Sequence, residues 1–252
     1  MSKKEIIYFI GAGPGSPELI TLKGRKLLDN ANVIVYAGSL INPELLKGLG
    51  AELIDSSRLN LDEIVDIMAQ RYSEGRRIVR LHSGDPTIYG AIKEQMERLD
   101  RMGIPYEIVP GVSSATAVAA SLNIELTLPE VSQTVIITRY GKRTPVPEKE
   151  MLRKLAKHKA TMLIFLSVDR INELATELLS GYPEDTPVAV VQRATWHDEK
   201  IIRGTLKDIA QKVKDAKITR TAIIVIGDVL KDETLKAVSR LYDRKFTHGY
   251  RE

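Results

Sequence analysis

The 252-residue chain is 43% hydrophobic and 28% charged, enough apolar material for one large or two small α/β cores. It has no cysteine and four scattered histidines (His82, His158, His197 and His248). That excludes disulfides, thiolate metal sites, iron–sulfur clusters and cysteine nucleophiles, and argues against any protein-built metal centre. Lys plus Arg exceed Asp plus Glu by 37 to 33, a dispersed +4 that makes no nucleic-acid footprint.

The opening MSKKEIIYFIGAGPGS is interrupted at Gly11, too early for a signal peptide. No run approaches the roughly 20 apolar residues of a membrane span, so the chain reads as cytoplasmic and free of membrane. Apolar runs then alternate with helical periods. Strands are expected at Ile6–Ile10, Val33–Tyr36, Arg77–Leu81 and Tyr106–Val109. Helices are expected at Glu18–Asn30, Asn60–Tyr72, Gly90–Met102 and Ser113–Leu122, with Asn60 and Glu63 spaced as a capping box. Near-continuous apolar strands between helices indicate a parallel sheet covered on both faces.

The pattern changes at Thr127–Ser132 (TLPEVS). Beyond it lie strand candidates at Thr134–Thr138, Met162–Ser167, Val188–Gln192, Lys200–Gly204 and Ala222–Ile226. Helices are expected at Glu148–His158, Arg170–Ser180 and Leu206–Ala216. The run QRATWHDEKIIRGT (Gln192–Thr205) reads as two strands about a polar turn, which makes the second sheet mixed. The expectation is two α/β domains, 1–127 and 128–252, with one larger domain as the alternative.

Three loops at expected strand ends carry the functional signal. GAGPGS (Gly11–Ser16) sits between strand and helix, but it lacks the dinucleotide G-x-G-x-x-G spacing and the acidic residue ending the second strand. No GKS or GKT follows, so it is not a Walker loop either. HSGDPTIYG (His82–Gly90) combines Gly84 with Pro86, and its Asp85 serves either a ligand hydroxyl or ammonium or the following turn. VPGVSSATA (Val109–Ala117) is the third. Open α/β sheets bind ligands at such carboxyl ends, so the three together mark a site.

These stretches, GAGPGSPELITLKGRKLLDNANVIVYAG and RLHSGDPTIYGAIKEQMERLDRMGIPYEIVPGVSS, resemble the S-adenosylmethionine-dependent tetrapyrrole methyltransferases of corrin and sirohaem synthesis. YAGSLINPELL (Tyr36–Leu46), ATMLIFLSV (Ala160–Val168), VVQRATWHDEKIIRGTL (Val190–Leu206) and LYDRKFTHGYR (Leu241–Arg251) are similar to the branch that methylates C11 of precorrin-4 or cobalt-precorrin-4. Relatives that act on uroporphyrinogen III carry an acid after the second-strand tyrosine, where this chain has Ala37. The resemblance implies two α/β domains with the active site in the cleft between them, and a homodimer in cobalamin biosynthesis. It places cofactor contacts on Pro14, Ser83, Gly84, Asp85, Ile88, Ser113, Ser114, Leu166, Ala194, Thr221 and Ala222. The main chains of Gly84 and Leu166 are candidates to hold the adenosine and methionine portions.

A polycarboxylate tetrapyrrole, cobalt-chelated or metal-free, calls for a basic lining. Arg58, Arg139, Lys142, Arg143, Arg193 and His197 fall at strand ends or loops and are the substrate candidates, with Tyr36 and Tyr89. Arg80 lies inside an apparently buried strand, for an internal ion pair or a ligand. His82 serves as a structural histidine or a proton shuttle, and Trp196 as core or substrate cover. No general base is identifiable.

Overall fold

A computed structural model describes residues 6–141 and 144–231, with residues 239, 246, 247 and 249. Among these residues the chain divides into two compact units, Met1–Ala117 with Arg193–Glu199, and Val118–Gln192 with Lys200–Glu252. The division falls inside one helix, and the short segment 193–199 belongs to the first unit although its chain neighbours belong to the second.

The first unit is a five-stranded sheet, ordered β3-β2-β4-β1-β5, in which every pairing is parallel. Its strands are β1 (Ile7–Gly11), β2 (Val33–Tyr36), β3 (Glu52–Asp55), β4 (Ile78–His82) and β5 (Tyr106–Val109). The helices are α1 (Leu22–Asp29), α2 (Leu61–Ser73) and α3 (Lys93–Arg101), and α4 (Ser114–Leu122) crosses the division. Alternate strand residues supply two cores. Ile7, Phe9, Val35 and Ile78 meet Val65 and Met68 of α2 and Leu99 of α3, while Ile10, Ile34 and Leu81 meet Leu28 of α1. The sheet is covered on both faces, as its apolar strands require.

The second unit is a mixed sheet, ordered β6-β7-β10-β8-β9. It comprises β6 (Val135–Arg139), β7 (Thr161–Phe165), β8 (Pro187–Gln192), β9 (Lys200–Thr205) and β10 (Ala222–Ile226). Only β6–β7 is parallel; β7–β10, β10–β8 and β8–β9 are antiparallel. One core joins Met162, Ile164, Val190 and Ile224 to α5 (Leu152–Leu155), α6 (Ile171–Leu178) and α7 (Ile209–Asp215). No helix among the described residues is long and apolar enough to cross a membrane.

The expected helices are shortened where side chains cap local turns. Glu18–Asn30 is a 3-10 turn at Pro17–Leu19 and then α1, because the Thr21 hydroxyl accepts the Gly24 N–H and starts a new helix. Gly90–Met102 contracts to α3, since Ala91 adopts φ 49°. Glu148–His158 breaks at extended Met151 (ψ 140°) into two 3-10 turns around α5. Leu206–Ala216 begins only at Ile209, because the Asp208 carboxylate accepts the Thr205 N–H at 2.7 Å and closes a turn first. The capping box forms, with Asn60 and Glu63 exchanging hydrogen bonds of 3.0 and 2.7 Å. β3 was not expected: its ELID sequence carries two acids and alternates half-buried with exposed positions at the sheet edge.

Candidate active site

In the first unit the loops after β1, β4 and β5 lock together through their main chains. Gly84 N–H donates to Gly13 O at 2.8 Å, and Gly13 N–H donates back to Gly84 O at 3.3 Å. Ala12 N–H donates to His82 O at 2.7 Å. A Cβ on Gly11 would stand 2.5 Å from Gly84 O and 2.6 Å from the Gly111 Cα, so only bare backbone fits at this crossing. The Asp85 carboxylate completes the lock. Its Oδ2 accepts the Gly111 N–H at 2.9 Å, and its Oδ1 accepts the Thr87 N–H at 2.8 Å and the Thr87 hydroxyl. Burial opposes ionisation, but the Thr87 hydroxyl and the Gly111 and Thr87 amides outweigh it and hold the carboxyl below its ordinary range. Asp85 is therefore the tie between two loops.

The bridge changes the reading of Gly84. Its amide is taken by Gly13 O and one lone pair of its carbonyl by Gly13 N–H, which leaves the carbonyl's second lone pair to accept. Beside that it offers space. Gly84 has φ +64°, and a Cβ there would meet only Ser114 Oγ at 3.4 Å, Ser114 N at 3.6 Å and Ser113 Cα at 3.9 Å. Ser113 and Ser114 border that bare face, half-buried at the start of α4, and Ser83 and Ile88 lie in the same loop as Gly84 and are half-buried too.

At the other side of the sheet, Tyr36 ends β2 and is half-buried against the α1-side core. Arg58 follows β3, is exposed, and takes no part in the ion pairs formed by the described residues. Arg80 is buried and forms no ion pair among the described residues. Its guanidinium donates to Gln95 Oε1 at 3.1 Å, Ser56 Oγ at 3.1 Å and Val35 O at 3.2 Å, all neutral acceptors. Burial brings its pKa down to about 10. His82 is also structural. Burial, and then the Arg80 charge, push its pKa down to about 3, so it stays neutral and shuttles no proton near pH 7. Its ring stacks on Phe9 with centroids 6.1 Å apart, and its Nε2 has no hydrogen-bond partner.

Residues 193–199 lie against the glycine loop within the same unit. Trp196 is buried, so it is packing and not a substrate cover. Arg193 lies over the indole and pairs with Asp198 at 2.8 Å. Ala194 is buried and His197 exposed. In the second unit, the Arg139 guanidinium donates to the carbonyls of Thr144 at 2.7 Å and Pro145 at 3.1 Å, fastening its own loop. Lys142, Arg143, His248 and most of Leu241–Arg251 lie outside the described residues.

Of the ten non-glycine residues with positive φ among the described residues, five fall in or beside candidate positions. Tyr89, Leu166 and Thr221 have φ between 53 and 55°, and Arg193 and Thr195 flank Ala194 at 53° and 68°. Left-handed conformations of this kind cost roughly 1–2 kcal/mol each and gather at ligand sites. Leu166 is also 71% exposed, with no apolar burial to justify it there. Ala91 and Thr195 escaped sequence reasoning, because a positive φ at a non-glycine residue leaves no compositional mark.

The comparisons decide the family. The family model described as tetrapyrrole (corrin/porphyrin) methylases matches residues 6–210. The chain belongs to that family. It is 56% identical, over 100% of its own length and 98% of the relative's, to the cobalt-precorrin-4 C(11)-methyltransferase of Methanocaldococcus jannaschii. The solved structure of cobalt precorrin-4 methyltransferase, a cobalamin biosynthetic enzyme, superposes with TM-score 0.87 at 49% identity, covering 89% of this chain and 95% of that one. Uroporphyrin-III C-methyl transferase of Thermus thermophilus, complexed with S-adenosyl homocysteine, superposes with TM-score 0.76 at 28% identity, covering 89% and 98%.

Proposed function

We propose that this protein transfers a methyl group from S-adenosylmethionine to C11 of precorrin-4, in its cobalt-containing or metal-free form. The observation that carries the reading is the end-to-end 56% identity to a cobalt-precorrin-4 C(11)-methyltransferase. Bound S-adenosylmethionine supplies a methyl group on a sulfonium, which an electron-rich ring carbon can displace in line.

The residues present fit that donor. The bare face of Gly84 against Ser113 and Ser114 is a space that a side chain would fill. Pro14, Ser83, Asp85, Ile88 and Ala194 of the first unit and Leu166, Thr221 and Ala222 of the second are the other proposed donor contacts. The role of these groups is alignment and exclusion of water, because displacement at a methyl carbon needs an in-line approach. Tyr36, Tyr89, Arg58 and His197 are the proposed acceptor contacts, with Lys142 and Arg143. Arg139 and Arg193 each keep further N–H donors beyond their local bonds, and these suit the acceptor's carboxylates. The same reading carries a cytoplasmic homodimer.

The test is incubation of the purified protein with methyl-labelled S-adenosylmethionine and each form of precorrin-4, followed by NMR of the product. Label at C11 supports the reading. Label at another ring carbon, or none with either form, refutes it.

A further inference from the structure

Residues 193–199 stand between β8 and β9 in the chain, yet they belong to the first compact unit. The contacts that hold them there fall on three successive residues of the glycine loop. Trp196 Nε1–H donates to Pro14 O at 3.0 Å, a buried bond spanning 182 positions in sequence. Ser16 N–H donates to Thr195 Oγ1 at 3.0 Å. Gly15 lies so close to the indole that a Cβ would fall 2.1 Å from Trp196 Cδ1, and the Gly15 carbonyl accepts from Asn42 Nδ2 at 3.0 Å.

The clasp is itself braced. Glu199 accepts the Thr195 N–H at 2.7 Å, and the Arg193 guanidinium sits 4.1 Å from the indole centroid. Left-handed φ values at Arg193 and Thr195 turn the chain sharply on either side of Ala194. A loop containing three glycines within five residues has high conformational entropy unless it is held. Here each of Pro14, Gly15 and Ser16 has a main-chain group fastened from outside the loop.

We propose that Thr195 and Trp196 are positioning residues for the methyl donor: they set the glycine loop in its binding conformation beforehand, and so control donor affinity without touching the acceptor. This rests on the reading of the glycine loop as a donor contact. Preorganised loops bind more tightly because less ordering remains to be done on binding.

The experiment is calorimetric titration of the full-length protein with S-adenosylhomocysteine, for wild type, Thr195→Val, Thr195→Ser and Trp196→Phe. Valine keeps the size of threonine and removes the acceptor, whereas serine keeps the acceptor. Thr195→Val should weaken binding by about five- to tenfold, and Thr195→Ser should stay within about twofold of wild type. Trp196 is the chain's single tryptophan, so unshifted emission in the Thr195 variants shows that the indole remains packed. Trp196→Phe keeps an aromatic ring and loses the N–H; it should raise the donor KM with little change in the acceptor KM. Equal affinities for Thr195→Val and Thr195→Ser, or equal rises in both KM values for Trp196→Phe, would overturn the clasp. Failure of the wild type to bind S-adenosylhomocysteine would instead remove the donor reading, and the clasp with it.

Discussion

Lowering the pH from 7 to 5 should remove about 2 kcal/mol of stability through His82 alone. In the unfolded chain its imidazole has an ordinary pKa near 6.5, while burial and the Arg80 charge hold it at about 3 in the folded protein. Below about pH 6.5 the unfolded state therefore binds a proton that the native state refuses until about pH 3, and stability falls as the pH falls through that window. At about 1.4 kcal/mol per pH unit the loss reaches about 3 kcal/mol by pH 4. Urea unfolding of the wild type and His82→Leu at pH 7 and pH 5 measures it. Leucine keeps an apolar contact with Phe9 and removes the unpartnered Nε2, so the variant should stay within about 1 kcal/mol of wild type at pH 7. Between pH 7 and pH 5 the wild type should lose about 2 kcal/mol more than the variant, with the urea m-value unchanged. Equal losses in the two proteins would refute the burial argument.

Gly84→Ala meets no atom closer than 3.4 Å, so its cost is conformational: about 1–2 kcal/mol for a left-handed alanine, visible as a lower Tm. The added methyl also enters the space beside Ser113 and Ser114, so S-adenosylhomocysteine affinity should fall; unchanged affinity would remove the donor assignment there. Arg58→Glu should raise the acceptor KM and leave both Tm and donor affinity alone, since Arg58 is exposed and outside the described ion pairs. Asn60→Ala dissolves the capping box of α2 and should cost about 1 kcal/mol in urea unfolding.

Much of the architecture is legible in the chain because it rests on local pattern. VIVY and AIIVI are continuous apolar runs and YEIV an apolar one broken only by Glu107, and each forms its strand at the expected residues. The Asn60–Glu63 pair reads directly as a helix start. β3 does not, since a four-residue edge strand with two acids has no apolar signature. The three loops are visible as glycine and proline punctuation after strands. Their mutual contact is not, because the approach of Gly11, Gly84 and Gly111 depends on the register of β1 with β4 and β5. The same holds for Arg80. Its residue type suggests a carboxylate partner, and only the folded arrangement reveals three neutral acceptors from β2, the turn after β3, and α3.

The strand order β3-β2-β4-β1-β5 also sets the proposed acceptor contacts apart from the interlocked glycines. The interlocked glycines end the adjacent trio β4, β1 and β5, where a change at one main chain is transmitted to two neighbours. Tyr36 and Arg58 stand at the ends of β2 and β3, outside that lock. With the donor proposed at the lock and the acceptor proposed at Tyr36 and Arg58, a substitution on the β2–β3 flank would alter acceptor choice and leave the interlocked main chains as they are.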